Sequence, residues 1–480
     1  MKLLWGALAT GMATAFAAED KTAVFGYVPA EMVRNIQCTV CKTPELTGTV
    51  TDSCCNYETV DIATQAHFHP LLDELRTLSF FRYFKADLTK ECPFWHSNNQ
   101  CANRDCSVCE CPKEEIPSKW YAQDEAAREA REAELHAPCK DQSGEGELSK
   151  IDRKNAAVGT NFNPWSAVVR DFAKEGVEED TNEDNMVYVN LVENPERFTG
   201  YSGNSAWRVW KAIYEENCFH SKELCLEERV YYRLISGLHT SINTHVALEY
   251  RFGDHWGLNT QMFVDRVGAF PERLQNMYFT YLFVLRAVGR YREVLLDYDY
   301  STGNAYDDER VPQIMRELFD VDNSAFNASC RAPSDSRAAL MGFNETMLFS
   351  KGMSVAHQRE QFRQKFENVS RIMDCVTCEK CRLWGKIQVL GLGTAIKILL
   401  ADDIHALPPL QRNEIIALIN VLHRLSESIE GVSRFRQLEF EDALKSMAKI
   451  VAGAFGFVLV IIWWRRRRAA RASAKKAKAD

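Results

Sequence analysis

Three cysteines stand at i, i+3 and i+6 in the run Cys375-Val376-Thr377-Cys378-Glu379-Lys380-Cys381. The stretch that follows, Ile387 to Leu400, is apolar and reads as a helix, so the Cys-x-x-Cys pair sits at a helix start. Free N–H groups and the helix dipole at such a start stabilise a thiolate, which lets the pair open and close at modest potential. Lys380, Arg382 and Lys386 are expected to act in the same direction. The same spacing also serves zinc, iron–sulfur clusters or plain disulfide staples, and a metal site wants a fourth ligand from a second pair of matching spacing. No such pair completes a site at Cys375 elsewhere in the chain, and no metal is expected.

A second group of sulfurs lies far upstream. Cys92-Pro93-Phe94-Trp95 is followed by Cys101 and Cys106, then by Cys109 and Cys111. The linking residues are Asn, Gln, Asp and Ser, which build no core and favour an exposed loop. A ring closed by Cys101 and Cys106 restrains the unfolded chain little, so it suits a labile, exchangeable bond, although a structural staple fits the spacing equally well. Cys38-x-x-Cys41 and Cys54-Cys55 bracket a short segment, Pro44 to Asp52, that reads as a stapled hairpin, and Cys218 and Cys225 pair locally.

The rest of the chain must position these sulfurs in an oxidising compartment. Its first 17 residues have the basic, apolar and small-residue regions of a secretory signal. Sixteen cysteines and the sequons at Asn327, Asn344 and Asn368 agree with a lumenal location. Residues 450–464 form an uncharged run followed by Arg465-Arg466-Arg467-Arg468, which places a membrane helix there and residues 465–480 as a basic cytosolic tail. Lys476-Ala477-Lys478 resembles a dilysine retrieval signal. Residues 18–449 then form the lumenal domain, with residues 112–160, acidic and alanine-rich, as an insertion that adds nothing to the core. A net charge of −8 argues against nucleic acid. Helices are expected over Leu226 to Glu249, from Pro271 through Arg286, and from Leu407 to Lys449, without alternation long enough for a parallel sheet. Gly391-Leu392-Gly393 lacks the third glycine and the preceding strand of a dinucleotide fold.

The chain resembles the endoplasmic reticulum oxidoreductin family of flavin-dependent thiol oxidases. The resemblance is carried by Cys375-Val-Thr-Cys378-Glu-Lys-Cys381-Arg-Leu-Trp-Gly-Lys, Cys92-Pro-Phe-Trp, Arg197-Phe-Thr199-Gly-Tyr201, Leu-Ile-Ser236-Gly-Leu-His239, and Arg273 with Arg286. It spans roughly Cys38 to Leu422 and implies a mainly α fold. That fold is a single large helical domain around a bundle that holds FAD, with a small N-terminal hairpin, long loops and a C-terminal membrane helix.

Position by position, the resemblance makes Cys378 and Cys381 the inner redox pair, with Cys381 nearer the flavin, and Cys101 and Cys106 the outer shuttle pair. It assigns FAD contacts to Arg197, Thr199, Tyr201, Trp210, Ser236, His239, Arg273 and Arg286. It bonds Cys92 to Cys375 and Cys218 to Cys225, and offers Cys139 with Cys330 as a regulatory bridge beside Cys109 and Cys111. The implied chemistry carries electrons from reduced protein disulfide isomerase through the shuttle pair and the inner pair to FAD, then to molecular oxygen as hydrogen peroxide. The implied location is the endoplasmic reticulum membrane, single-pass. A lumenal scaffold without catalysis and a thioredoxin-like isomerase are the competing classes; the second needs a strand before Cys378 that the sequence does not offer.

Overall fold

The computed structural model describes residues 57–95, 106–135, 186–196, 203–216, 225–320, 355–401, 403–405 and 407–476. The chain divides into two compact units, residues 1–429 and 430–480. In the first, α1 (Tyr57–Ala63) and α2 (His69–Leu75) are joined by a π turn and lead through α3 (Ser79–Arg82) into β1 (Tyr83–Ala86). Then follow α4 (Ser118–Leu135), β2 (Val187–Asn190), α5 (Gly203–Glu215), α6 (Cys225–Leu248), β3 (Tyr250–Phe252) and β4 (His255–Gly257). After these come α7 (Thr260–Phe263), α8 (Pro271–Arg290), α9 (Arg292–Asp297), α10 (Ala305–Phe319), α11 (Val355–Met373) and α12 (Glu379–Leu400). The last helix, α13, runs from Arg412 to Lys476.

The described strands form two antiparallel pairs, β1 with β2 and β3 with β4, and no parallel sheet. The fold is therefore mainly α, as the sequence leads one to expect.

Local chemistry sets the helix starts. Pro271 occupies the first turn of α8, where its missing N–H has no intrahelical partner to lose. Asn304 caps α10 by accepting from the Tyr306 and Asp307 N–H groups. Helix α8 is buried through its middle, with Tyr278, Phe279, Tyr281 and Phe283 at 1% exposure or less, which puts it at the centre of the bundle. It packs against α6 on one side and α12 on another, and α12 packs against α11.

Glycines set two of these approaches. A Cβ on Gly237 would stand 2.0 Å from Thr280 Oγ1, so α6 and α8 meet only because that position is bare. A Cβ on Gly391 would stand 2.2 Å from the Ala417 carbonyl oxygen. The glycine rejected as a nucleotide motif is a packing glycine of α12.

One expectation needs correction. The segment 112–160 contributes to the core after all at its beginning. Ile116 and Trp120 are buried; the Trp120 ring lies 16° from parallel to Tyr188 and carries Arg412 4.0 Å above its centre. Composition averaged over a window conceals one aromatic anchor. The helix there begins at Ser118, and residues 136–160 lie outside the described residues.

The second unit is the continuation of α13. Its side chains from Ile450 to Trp464 are largely open, with Phe455 at 65% and Trp463 at 55% exposure. Helix α12 is also long and apolar enough to cross a membrane, but it is mostly buried and is a core helix. The hairpin expected between Cys38 and Cys55, and the signal at residues 1–17, lie outside the described residues.

Candidate active site

Helix α12 begins at Glu379, and Cys378 is its N-cap, with φ −81° and ψ 116°. Cys378 and Cys381 are 1% and 0% exposed and stand as thiols. Cys106, which is disulfide-bonded, packs into one cluster with them beside Val376. Its expected partner Cys101 lies outside the described residues. The Cys378 thiol is held below the ordinary cysteine range by the hydrogen bond from Cys381, and by the N–H groups of Cys381 and Lys380 and the Lys380 charge, against the opposing effect of burial. This is the behaviour expected of a thiol at a helix N-terminus.

Of the three cations expected to favour the thiolate, Lys380 acts on Cys378, and the other two are turned elsewhere. The Arg382 guanidinium donates to the Val376 carbonyl at 2.9 Å and the Leu88 carbonyl at 2.6 Å. Lys386 pairs with Asp374 and donates to the Asp87 carbonyl at 3.1 Å. Both cations tie the Asp87–Lys90 loop to the turn before α12. Cys92 and Cys375 are joined by a disulfide with Cα atoms 4.4 Å apart, which fastens the same loop at the same place.

Behind Cys381 opens a cavity between α5, α6, α11 and α12, with Trp210, Leu238, Met373, Cys381 and Gln388 in its wall. Its empty space, counted out through the open mouth into solvent, is about 650 Å³. Gly385 keeps Met373 in this wall, since a Cβ there would come within 2.8 Å of the Met373 sulfur. Trp210 stacks on His239 at 3.9 Å with planes 16° apart. His239 Nδ1 lies 3.0 Å from the Tyr214 hydroxyl. Burial, then the Arg266 charge, pushes the His239 imidazole down to about 3, so it is neutral.

Ser236 accepts from Asn276 Nδ2 at 3.1 Å, and Asn276 in turn accepts from Arg233 Nε at 3.1 Å. Arg273 lies 3.6 Å over the Phe270 ring and donates to the Arg266 carbonyl. Arg266 Nη1 donates to Asn243 Oδ1 at 3.0 Å, and Asn243 donates to the His239 carbonyl at 2.9 Å. Burial brings both guanidinium groups down to about 10. Trp210, Ser236, His239 and Arg273 are thus gathered around the facing halves of α6 and α8. Arg286 is half-buried on α8, about 20 Å farther along the axis than Arg273. Arg197, Thr199 and Tyr201 lie outside the described residues.

A flat ring has a stacking surface here, a sulfur within the same wall, and two cations nearby for an anionic group, Arg266 buried and Arg273 half-buried. The residues present fit a flavin dinucleotide.

Two side chains were missed in the sequence. Arg266 sits among Phe263, Val267 and Phe270, and a cation in so apolar a turn was a readable sign. Gln388 is a polar residue in the apolar run after Cys381; it is buried and donates to Glu196 at 3.2 Å, and Glu196 pairs with Arg424.

Asn368 lies on α11 with its amide donating to Glu216 at 3.1 Å. Asn327, Asn344, Cys139, Cys218 and Cys330 lie outside the described residues, and Cys225 starts α6. Cys109 and Cys111 are thiols. Among the described residues, no group of three or more His, Cys, Asp or Glu side chains is placed to hold a metal.

A buried dithiol at a helix start, contacted by a disulfide and backed by a largely apolar cavity in a helical bundle, defines a helical thiol–disulfide oxidoreductase. The Endoplasmic Reticulum Oxidoreductin 1 (ERO1) family model matches residues 67–432. Endoplasmic reticulum oxidoreductin-2 of Arabidopsis thaliana is 41% identical over 396 residues, which cover 80% of this chain and 78% of that one. ERO1-like protein alpha of Mus musculus is 35% identical over 446 residues, covering 82% and 91%. Among solved structures, a cysteine-to-alanine double mutant of S. cerevisiae Ero1p superposes with a TM-score of 0.56 at 30% identity, covering 81% of this chain and 99% of that one. The chain belongs to the endoplasmic reticulum oxidoreductin family, whose members are endoplasmic reticulum proteins, and it is an oxidoreductase that forms disulfides.

Proposed function

We propose that this enzyme reoxidises protein disulfide isomerase in the lumen of the endoplasmic reticulum. Electrons enter at Cys101 and Cys106, pass to Cys378 and Cys381, and leave through FAD held in the cavity behind Cys381. The observation that carries this reading is the packing of Cys106 against Cys378 and Cys381, with Cys381 also in the cavity wall.

The sulfur steps follow from thiolate chemistry. The reduced isomerase attacks the Cys101–Cys106 disulfide and leaves it as a dithiol. The Cys106 thiolate then attacks Cys378 of the oxidised inner pair, forming the Cys106–Cys378 bond and breaking Cys378–Cys381, with Cys381 leaving as a thiolate. Cys101 attacks Cys106, closes the shuttle disulfide and releases Cys378. Two electrons and two protons have moved, and the inner pair is a dithiol beside the cavity. FAD held in this cavity would supply a two-electron acceptor for the inner dithiol, with molecular oxygen as the proposed final acceptor and hydrogen peroxide as the product. Trp210 offers the stacking surface for its rings, His239 supports that surface as a neutral ring, and Arg273 lends positive charge for its pyrophosphate. Ser236, with Arg197, Thr199, Tyr201 and Arg286, completes the proposed set of contacts.

Residues 1–17 serve as the signal, 450–464 as the single span and 465–480 as the cytosolic tail. Support comes from the open apolar side chains of Ile450 to Trp464 and the arginines that follow. Asn327, Asn344 and Asn368 are the proposed glycan acceptors.

The purified protein should carry a flavin absorption band. Cys101→Ala should abolish oxidation of reduced isomerase while oxidation of a small dithiol, which reaches the inner pair directly, persists. A colourless protein, or loss of both activities, would overturn the reading.

A further inference from the structure

The segment that follows Cys106 is held along its length by contacts that differ in kind. At its far end the backbone does the work: the Cys111 N–H donates to the Tyr188 carbonyl at 2.8 Å, and Glu110 bridges to Val189 in antiparallel fashion. Strand β2 ends at Asn190, and the chain then turns, so no further backbone ladder is offered to residues nearer the sulfurs.

There two side chains take over. Asn194 Oδ1 accepts from the Cys109 N–H at 2.7 Å, and Asn194 Nδ2 donates to the Cys109 carbonyl at 2.8 Å. A carboxamide has the donor and acceptor of a peptide group, so Asn194 continues the ladder by one rung. Its second amide proton goes to the Asn190 carbonyl at 3.0 Å, which locks the amide in one orientation. Its own carbonyl accepts from Trp384 Nε1 of α12 at 2.8 Å, so the clamp is referred to the helix that carries the inner pair. One residue nearer the sulfurs, Glu379 Oε2 accepts from the Val108 N–H at 3.0 Å, and the Lys380 N–H donates to the Cys106 carbonyl at 2.9 Å.

We propose that Asn194 and Glu379 are positioning residues that hold the Cys106 segment against Cys378 for the internal exchange. This rests on the shuttle reading above. Neither side chain reaches a reacting sulfur by any contact described; each grips the backbone of Cys109 or Val108. Their effect is to raise the local concentration of Cys106 at Cys378, where a loop of Asn and Ser residues has no core of its own to bring it there.

The test isolates that single linkage in the full-length protein. In a Cys101→Ala/Cys381→Ala background, Cys106 and Cys378 are left to pair. Oxidised glutathione takes up their two electrons and two protons and becomes two molecules of reduced glutathione. The fraction of Cys106–Cys378 disulfide at a fixed glutathione ratio, read by mass spectrometry of proteolytic fragments, gives the effective concentration. Adding Glu379→Ala should lower it about three- to tenfold, as the loss of one hydrogen bond predicts. Glu379→Gln keeps a carbonyl acceptor at the same reach and should stay within about twofold of the parent. Asn194→Ala should lower it further, and Asn194→Asp, which accepts but does not donate, should fall between.

Thermal unfolding accompanies each measurement. Glu379 is exposed, so its variants decide the matter even where loss of buried Asn194 unfolds the protein. An effective concentration for Glu379→Ala within about twofold of the parent overturns the proposal. So does an equal loss in Glu379→Gln, which would assign the effect to charge. Absence of the Cys106–Cys378 bond already in the parent background would instead overturn the shuttle reading and this one with it.

Discussion

The two ends of the cavity treat a buried titratable side chain in opposite ways. At the sulfur end Cys378 is nearly inaccessible, yet its thiol ionises more readily than an ordinary cysteine because Cys381, two peptide N–H groups and Lys380 all favour the anion. At the aromatic end His239 is almost equally buried, and there burial and the Arg266 charge both disfavour the cation. Burial alone therefore does not decide which groups carry charge. The orientation of neighbouring dipoles does, and the helix start supplies it at one end only.

Removing the aromatic end should have the largest effect. Trp210→Ala takes away the stacking surface and a buried ring, with a loss of stability of about 3–5 kcal/mol. The purified variant should hold less than about a tenth of the flavin, judged by the ratio of flavin to protein absorbance. Full flavin content in that variant would break the comparison, because the cavity wall would then not be the cofactor's seat.

At the sulfur end, Cys381→Ala removes the first of the influences that lower the Cys378 titration. Its midpoint, followed through the ultraviolet absorbance of the thiolate, should move up. An unchanged midpoint would mean that the peptide N–H groups and Lys380 set it without help.

The smallest effect concerns pH. His239 has the ordinary imidazole value of about 6.5 when unfolded and is pushed down to about 3 when folded, so between these limits the unfolded state binds more protons and stability rises with pH. Lowering the pH by about one unit from 6.5 should therefore lose about 1 kcal/mol through this residue. His239→Gln should remove that share of the slope in denaturant titrations at the two pH values. His245, also pushed down to about 3, keeps its own share.

The pattern of apolar residues after Cys381 identified α12, and the spacing of Cys378 and Cys381 placed a dithiol at its start. Periodicity over Leu226 to Glu249 came within one residue of the observed α6 at each end. These are local properties, since helix periodicity and thiol chemistry depend on neighbours a few positions away. Arg382 shows the limit: one turn past Cys378 it reads as a helper of the thiolate, but its guanidinium is spent on carbonyls of residues 88 and 376. Trp120 shows it again, an aromatic in an acidic stretch that finds its partners, Phe80 and Tyr188, across long separations.

What the sequence determined by itself was the type of chemistry, a redox dithiol on a helix in an oxidising compartment, because that depends on residues adjacent in the chain. The tertiary structure decided that Cys106 lies on that dithiol, that Asn194 and Glu379 grip the strand behind it, and that Gly237 and Gly391 mark where helices touch. Each of these is a meeting of segments distant along the chain. Hydrogen bonds and contact distances specify such meetings only after the core has formed, and no local pattern encodes them.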